Sequence, residues 1–325
     1  MKEYELDVLE QYDIDIKGTR KIRGAILCDT AQGLMLLREA AISDQRIPIL
    51  YELYEHIEKN GYPQIDQMIK NKEDQLISRS EDGKKYVLKR WFVGKECDIR
   101  KENELLKATK NLAVLHKIMK YKMENEVEDL QKEYLRHNRE LNKIRSFVRK
   151  RTVKGEFETA FLQHFEYMFE WAGKATERLG NSGYKDLLEE SKYNGSIVHG
   201  DYNYHNTIMT ASEIATTNFE HFKNGIQAED LYYFLRKTME KNNWNEKIGA
   251  DILKVYQEQR TLTKKEMEYI ALRLAYPEKF WKLANAYYYS NKAWIPVKNV
   301  EKLQLAAKQM KQKQKFLENI FTFHL

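Results

Sequence analysis

Cysteine is nearly absent from this chain, with only Cys28 and Cys97 among 325 residues. Two thiols without metal-ligand spacing exclude a disulfide framework and argue for a reducing compartment, which places synthesis in the cytoplasm. Long apolar runs are also missing. No stretch approaches the roughly 18 apolar residues of a membrane span, and the opening segment MKEYELDVLEQYDID is acidic without an apolar h-region. Secretion and membrane insertion are therefore not expected. A dominant charge is lacking too: Lys+Arg 55 against Asp+Glu 49 leaves a surplus of six, too modest to be a nucleic-acid footprint. Internal repeats and low-complexity segments are absent. What remains is a chain that is 42% apolar, long enough for a large core and about two domains or lobes.

Strand signals concentrate in the first hundred residues. Lys21–Cys28 and Gly33–Arg38 are β-prone runs separated by Asp29-Thr30-Ala31-Gln32, which reads as a hairpin. Leu50, Leu53, Tyr54 and Ile57 recur at helical spacing up to the stop signal Asn60-Gly61. A second hairpin follows, with Gln75–Ser78 and Lys85–Leu88 flanking Glu81-Asp82-Gly83. Beyond Cys97 the pattern becomes helical. Leu105, Leu106, Leu112, Leu115 and His116 fit one amphipathic helix, and residues 124–151, including Val127, read as a long surface helix with a basic end. Phe157, Phe161, Phe165, Met168 and Phe169 form a stripe that reads as core packing. At least four helices are expected after Gln227, with aromatic residues reaching Trp294. The tail Lys298–Lys315 reads as a basic amphipathic helix that could dock on the body or on a partner.

The segment from His199 to Asn206 carries the chemistry. Asp201 and Asn206 stand five residues apart in a glycine-containing loop, where a carboxylate can orient an attacking hydroxyl and an amide can hold a magnesium ion on nucleotide phosphates. A turn-capping pair would need no more than these two residues, but the flanking segments add order. Ser196-Ile197-Val198 approaches the loop, Thr207-Ile208-Met209 and Ile214–Thr217 leave it as a hairpin, and Asn218-Phe219-Glu220 follows.

The His-Gly-Asp order with Asn five residues beyond Asp201 resembles the catalytic loop of aminoglycoside phosphotransferases and choline kinases. With Tyr-Asn-Tyr-His between Asp201 and Asn206, it is similar to the CotS family of spore coat proteins within that superfamily. The resemblance implies an α+β fold of two-lobed protein-kinase type: a small antiparallel-sheet lobe over residues 1–93, a hinge at 94–102 and a helical lobe over 103–325 with the catalytic-type loop at 196–220. It implies Asp201 as the catalytic carboxylate, Asn206 and the residue at 218 as metal ligands, His199 as structural support, and Asp230 of Ala228–Arg236 as a brace beneath the loop.

Three nucleotide-handling positions depart from the family pattern. The metal-binding Asp is replaced by Asn218, which removes a full negative charge from a hard cation's shell. Glu220 could substitute if the segment is extended, because residues two apart then share a face. The phosphate-pairing Lys is replaced by Arg38, which keeps the charge but not the compact geometry. The helical Glu that should lock that cation reads as Leu50, with Glu52 and Glu55 as substitutes or as solvated surface residues. His205 has no second ligand at metal spacing and indicates no zinc site. The cofactors implied are ATP and magnesium, held weakly or not at all. Two readings stay open: a spore coat scaffold on a degenerate kinase, whose expected partners are other coat proteins and a nucleotide or other small molecule, and an active phosphotransferase acting on a hydroxyl or amine.

Overall fold

Short β-prone runs near the N-terminus pair into an antiparallel sheet in the computed structural model, which describes residues 3–123, 129–290 and 297–325. Helix α1 (Glu3–Glu10) precedes strands β1 (Ile16–Ile22), β2 (Ala25–Thr30) and β3 (Gly33–Glu39), and α2 (Arg46–Lys59) separates these from β4 (Met68–Ile69), β5 (Ser78–Arg79) and β6 (Lys85–Arg90). The spatial order is β1-β2-β3-β6-β4, with β5 also on β6. The run Lys21–Cys28, expected as one strand, is divided between two. Arg23 and Gly24 take φ of 45° and 79° and pair Ile22 with Ala25. A two-residue left-handed turn of this kind suits the twist of a hairpin. The helix over Leu50, Leu53, Tyr54 and Ile57 forms as expected, ending at Asn60 before Gly61.

Successive residues of a strand face opposite sides, and here the two sides have different uses. Ile26, Cys28, Met35, Leu37 and Leu88 pack with Val8 and Leu9 of α1 into a core. Ala25, Leu27 and Leu36 form a separate apolar cluster on the other side, with Trp91 against it. That second set becomes a wall of the cleft described below.

Contacts divide the chain into two compact units, one of Met1–Tyr121 with Ile197–Lys223, the other of Lys122–Ser196 with Asn224–Leu325. This division differs from lobe boundaries at 93 and 102. The reason lies in the pairing of later segments with the first unit: β7 (Lys95–Glu96) pairs with β9 (Thr207–Met209), and β9 with β10 (Ile214–Thr216). Tyr62 Oη lies within hydrogen-bond distance of Asn111 of α3 (Glu102–Ile118), at 2.8 Å, and of Thr216, at 2.9 Å. Gly94 is required at the start of this connection, since a Cβ there would sit 2.5 Å from the Met209 carbonyl oxygen. Two short strands, β8 (Ile197–Val198) and β11 (Lys223–Asn224), flank the loop region.

The second unit is helical. It comprises α4 (Leu130–Lys150), α5 (Glu156–Gly180), α6 (Tyr184–Tyr193), α7 (Ala228–Lys241), α8 (Glu246–Gln257), α9 (Lys264–Ala275), α10 (Glu278–Tyr289), α11 (Val297–Lys308) and α12 (Met310–Phe321). The helix expected over 124–151 is described from Asp129, whose carboxylate caps α4 by accepting from the N–H groups of Gln131 and Lys132; Val127 lies outside the described residues, as does Trp294. Far from being only a surface helix, α4 buries Tyr134, Leu141, Ile144 and Val148. Tyr134 stacks on Tyr276 with ring centroids 3.7 Å apart. The aromatic stripe of α5 is core, with Phe157, Phe161, Phe165 and Met168 buried. The basic end of α4 is partly paired within this unit: Arg145 and Arg149 share Glu166, and Arg151 meets Glu158.

The tail is not one helix. Gln309 interrupts it, and its Nε2 donates to the Glu240 carbonyl at 3.1 Å and to Asn243 Oδ1 at 3.2 Å. Both halves dock inside this unit, α11 on α5 and α10, α12 on α8 and α9. Docking buries Lys313, whose Nζ donates to the carbonyls of Ala275 and Tyr276 at the end of α9. A cation suits a helix C-terminus, but burial wins and pushes the Lys313 ammonium down to about 7.

That shift fixes a pH dependence. Between about pH 7 and the ordinary lysine range the unfolded chain binds a proton that the folded chain has released, so stability should rise with pH, by up to about 1.4 kcal/mol per unit. Lys313→Met should flatten the curve between pH 7 and 9 in urea-unfolding measurements. An unchanged slope in the variant would place the titrating group elsewhere.

Candidate functional site

The loop from His199 to Asn206 is held by hydrogen bonds that its sequence supplies. Gly200 has φ of 80°, and a Cβ there would lie 2.1 Å from the His221 carbonyl oxygen, so only glycine passes this point. The Asp201 N–H donates to His199 Nδ1 at 3.1 Å. His199 Nε2 therefore carries the ring proton and donates to the Thr217 carbonyl at 3.0 Å. His199 is fully buried, with its ring 4.4 Å from that of Phe219. Asn203 Oδ1 accepts from the His205 N–H, and the Asn206 carbonyl accepts from the Thr217 N–H.

The Asp201 carboxylate accepts two side-chain bonds, from Asn203 Nδ2 at 2.9 Å and Asn206 Nδ2 at 2.8 Å. Asn206 in turn presents Oδ1 to Asn218 Nδ2 at 2.7 Å, and Asn218 Oδ1 accepts from Arg38 Nη1 at 2.5 Å. The two ends dictate the orientation of the middle. A guanidinium can only donate and a carboxylate can only accept, so both amides must point the same way along the line Arg38, Asn218, Asn206, Asp201. Asn218 adopts the left-handed conformation, φ 64° and ψ 58°, which asparagine tolerates better than most residues.

Beneath Asn218 lies a buried ion cluster absent from the sequence reading. Lys89 of β6 is 1% exposed, and its Nζ meets Asp66 at 3.1 Å and Glu220 at 2.5 Å. Asp66 also accepts from Tyr54 Oη at 2.9 Å and from the Asn218 N–H at 3.0 Å. Burial opposes ionisation of Glu220, but Lys89 outweighs it and holds that carboxyl below the usual range. At Asp66 burial prevails and pushes the carboxyl up. For Lys89, burial is overcome by the two carboxylates, which together raise the ammonium. The residues Phe219–His221 form a 3₁₀ turn, not the extended segment that would set Glu220 on the same face as Asn218. Glu220 is directed to Lys89 instead.

The other expected partners separate. Glu52 accepts from Tyr121 Oη at 3.0 Å, and Glu55 pairs with Lys59 at 3.2 Å. Neither pairs with Arg38, whose hydrogen bond is to Asn218. Asp230 is buried in the first turn of α7, in the second unit. Cys28 and Cys97 are free and buried, and burial pushes their thiols up to about 11 and about 12.

A cleft of about 450 Å³ opens beside the loop within the first unit. Ala25, Leu27 and Leu36 supply an apolar wall, and Arg20, Arg23 and Arg38 line it as well. Arg23 pairs with Glu96, whose second oxygen accepts from His205 Nδ1 at 2.6 Å. Magnesium requires an oxygen shell at about 2.0–2.1 Å in near-octahedral array. Here the Asn218 oxygen faces a guanidinium, the Asn206 oxygen an amide N–H and Glu220 an ammonium, so each candidate ligand is already met by a donor hydrogen. These residues do not fit magnesium. The Asp201 carboxylate likewise accepts an amide N–H on each oxygen, from Asn203 and from Asn206.

The ion cluster generates a stability prediction. Lys89→Met would strand the buried Asp66 carboxylate and leave the partly buried Glu220 unpaired, at a cost of about 3–5 kcal/mol. Glu220→Gln leaves the Lys89–Asp66 pair intact and should cost far less. Urea unfolding of the two variants checks the ranking, and equal losses would show that Asp66 does not need Lys89.

Comparisons with known proteins give the family and the fold. Residues 5–320 match the family described as spore coat putative kinase YutH. The spore coat protein S of Bacillus subtilis (strain 168) is 24% identical over 166 residues, which cover 50% of this chain and 47% of that protein, so the match spans about half the length of this curated relative. An aminoglycoside phosphotransferase from Alicyclobacillus acidocaldarius superposes with a TM-score of 0.87 at 18% identity, over 97% of this chain and 94% of that one. Spectinomycin phosphotransferase APH(9)-Ia, solved with ADP and spectinomycin, gives 0.65 at 12% identity, over 94% and 97%. At such identities the structures establish the fold, an α+β kinase-like one with an antiparallel sheet followed by a mainly helical remainder. With the family match covering almost the whole sequence, the chain belongs to the YutH family of putative spore coat kinases.

Proposed function

We propose that this protein is a spore coat component, made in the cytoplasm of a sporulating bacterium, that keeps a phosphotransferase scaffold without magnesium-dependent phosphoryl transfer. Its partners on this reading are other coat proteins. The observation that carries the proposal is the donor line from Arg38 through Asn218 and Asn206 to Asp201. It satisfies internally the oxygens that a nucleotide-bound metal would need. The relatives support the coat setting by their descriptions and the scaffold by their fold.

A second reading, an active ATP-dependent phosphotransferase, is favoured by one observation. Asp201 and Asn206 keep the spacing and mutual contact of a catalytic loop, at 2.8 Å. On that reading Asp201 activates the acceptor hydroxyl, and Asn206 must release Asn218 to hold a metal.

Asn218→Asp discriminates between them. The new carboxylate would face Asn206 Oδ1, acceptor against acceptor, a pairing relieved by a cation between them. The variant should gain magnesium-dependent ATP binding, roughly tenfold or about 1.4 kcal/mol over wild type. Catalysis need not follow, because an ångström of misplacement can cost about a hundredfold in rate. Calorimetric titration of Mg-ATP into both proteins measures the gain. Wild-type binding as tight as the variant's, accompanied by phosphate transfer, would favour the active enzyme.

A further inference from the structure

Three guanidinium groups line the cleft, and the charge nearest Arg38 apart from its amide partner is the Glu220 carboxylate, which is itself bound to Lys89. Arg20, Arg23 and Arg38 line the cleft against the single carboxylate of Glu96. Among the described residues, no carboxylate lies in ion-pair contact with Arg20 or Arg38. Each guanidinium has five N–H donors in a planar fork that matches phosphate oxygens, and Asn218 takes one donor of Arg38. A ligand for this surface must offer many acceptors and several negative charges, with an apolar portion for the Ala25, Leu27 and Leu36 wall.

We propose that Arg38 stands in for the divalent metal and that the cleft takes a polyphosphate, in the first instance a nucleoside triphosphate, as its metal-free anion. This rests on the reading of the site as unfit for magnesium. A phosphate chain already chelated by magnesium has lost part of its charge and some of the oxygens that the arginines would grip. The free tetra-anion keeps both. Arg20 and Arg23 supply the remaining countercharge, while Glu96 competes for Arg23. The contact of Glu96 with Arg23 and His205 therefore acts as a latch that a phosphate must displace.

The test is calorimetric titration of ATP, and separately of inorganic triphosphate, into the full chain in EDTA and in excess magnesium. Wild type should bind ATP in EDTA at least as tightly as in magnesium. Arg38→Met should weaken metal-free binding by roughly tenfold or more. Glu96→Gln should tighten it by about two- to fivefold, the scale of one exposed ion pair released from competition; a gain of affinity cannot come from misfolding. Inorganic triphosphate binding as well as ATP would support the anion site and show that the apolar wall contributes little. Binding that requires magnesium would overturn both this inference and the proposed function. No binding in either buffer, or an Arg38→Met variant as tight as wild type, would overturn the inference alone and leave the coat-scaffold reading standing.

Discussion

Asp66 is the carboxylate around which the first unit is arranged. It is fully buried, and a buried carboxylate is tolerated only when paired and hydrogen-bonded. Lys89 reaches it from β6, Tyr54 from α2 and the Asn218 N–H from the segment after β10. Three elements distant in sequence are thus tied to one acceptor. Because the backbone of Asn218 is pinned there in a left-handed conformation, its side chain is aimed between Arg38 and Asn206. The donor line from Arg38 to Asp201 is therefore a consequence of a structural ion cluster, not an arrangement local to the loop.

This hierarchy explains what the sequence disclosed. The loop was readable because its chemistry is contiguous: Asp201 and Asn206 sit within one short segment, and Gly200 marks a conformation that no other residue could take. The helices α2, α3 and α5 were readable from apolar spacing, since each buries one face. The Lys89 cluster was not. Its members are separated by 23 and 131 residues, and nothing in Lys85–Arg90 distinguishes the buried lysine from its neighbours except its place in a run of Tyr, Val and Leu. A lysine among residues buried on both faces of a strand was the available signal.

The misreadings have similar causes. Glu52 and Glu55 were plausible partners for Arg38 by distance along the helix, but periodicity does not tell which exposed face meets which strand. The substitution of Glu220 for the residue at 218 assumed an extended segment, and a 3₁₀ turn overrode it. The strand Lys21–Cys28 concealed a turn because Arg23 carries no turn signature of its own, and Gly24 alone was read as a strand residue. The tail divides at Gln309, where the side chain is drawn to Glu240 and Asn243 while its N–H and carbonyl keep their helical bonds to Leu305 and Lys313, a tertiary contact that apolar spacing does not signal.

The separation between the Asp66 cluster and the Asn218 side chain has a bearing on how such a protein can change over time. Asp66 holds position 218 through its backbone N–H, a group that every residue except proline provides. The side chain there can consequently alternate between a carboxylate and an amide by exchanging one oxygen for one nitrogen, while the anchor beneath it is untouched. Folding draws on the backbone of this residue and the cleft on its side chain. A lineage built this way can exchange the group at position 218 without passing through an unstable intermediate.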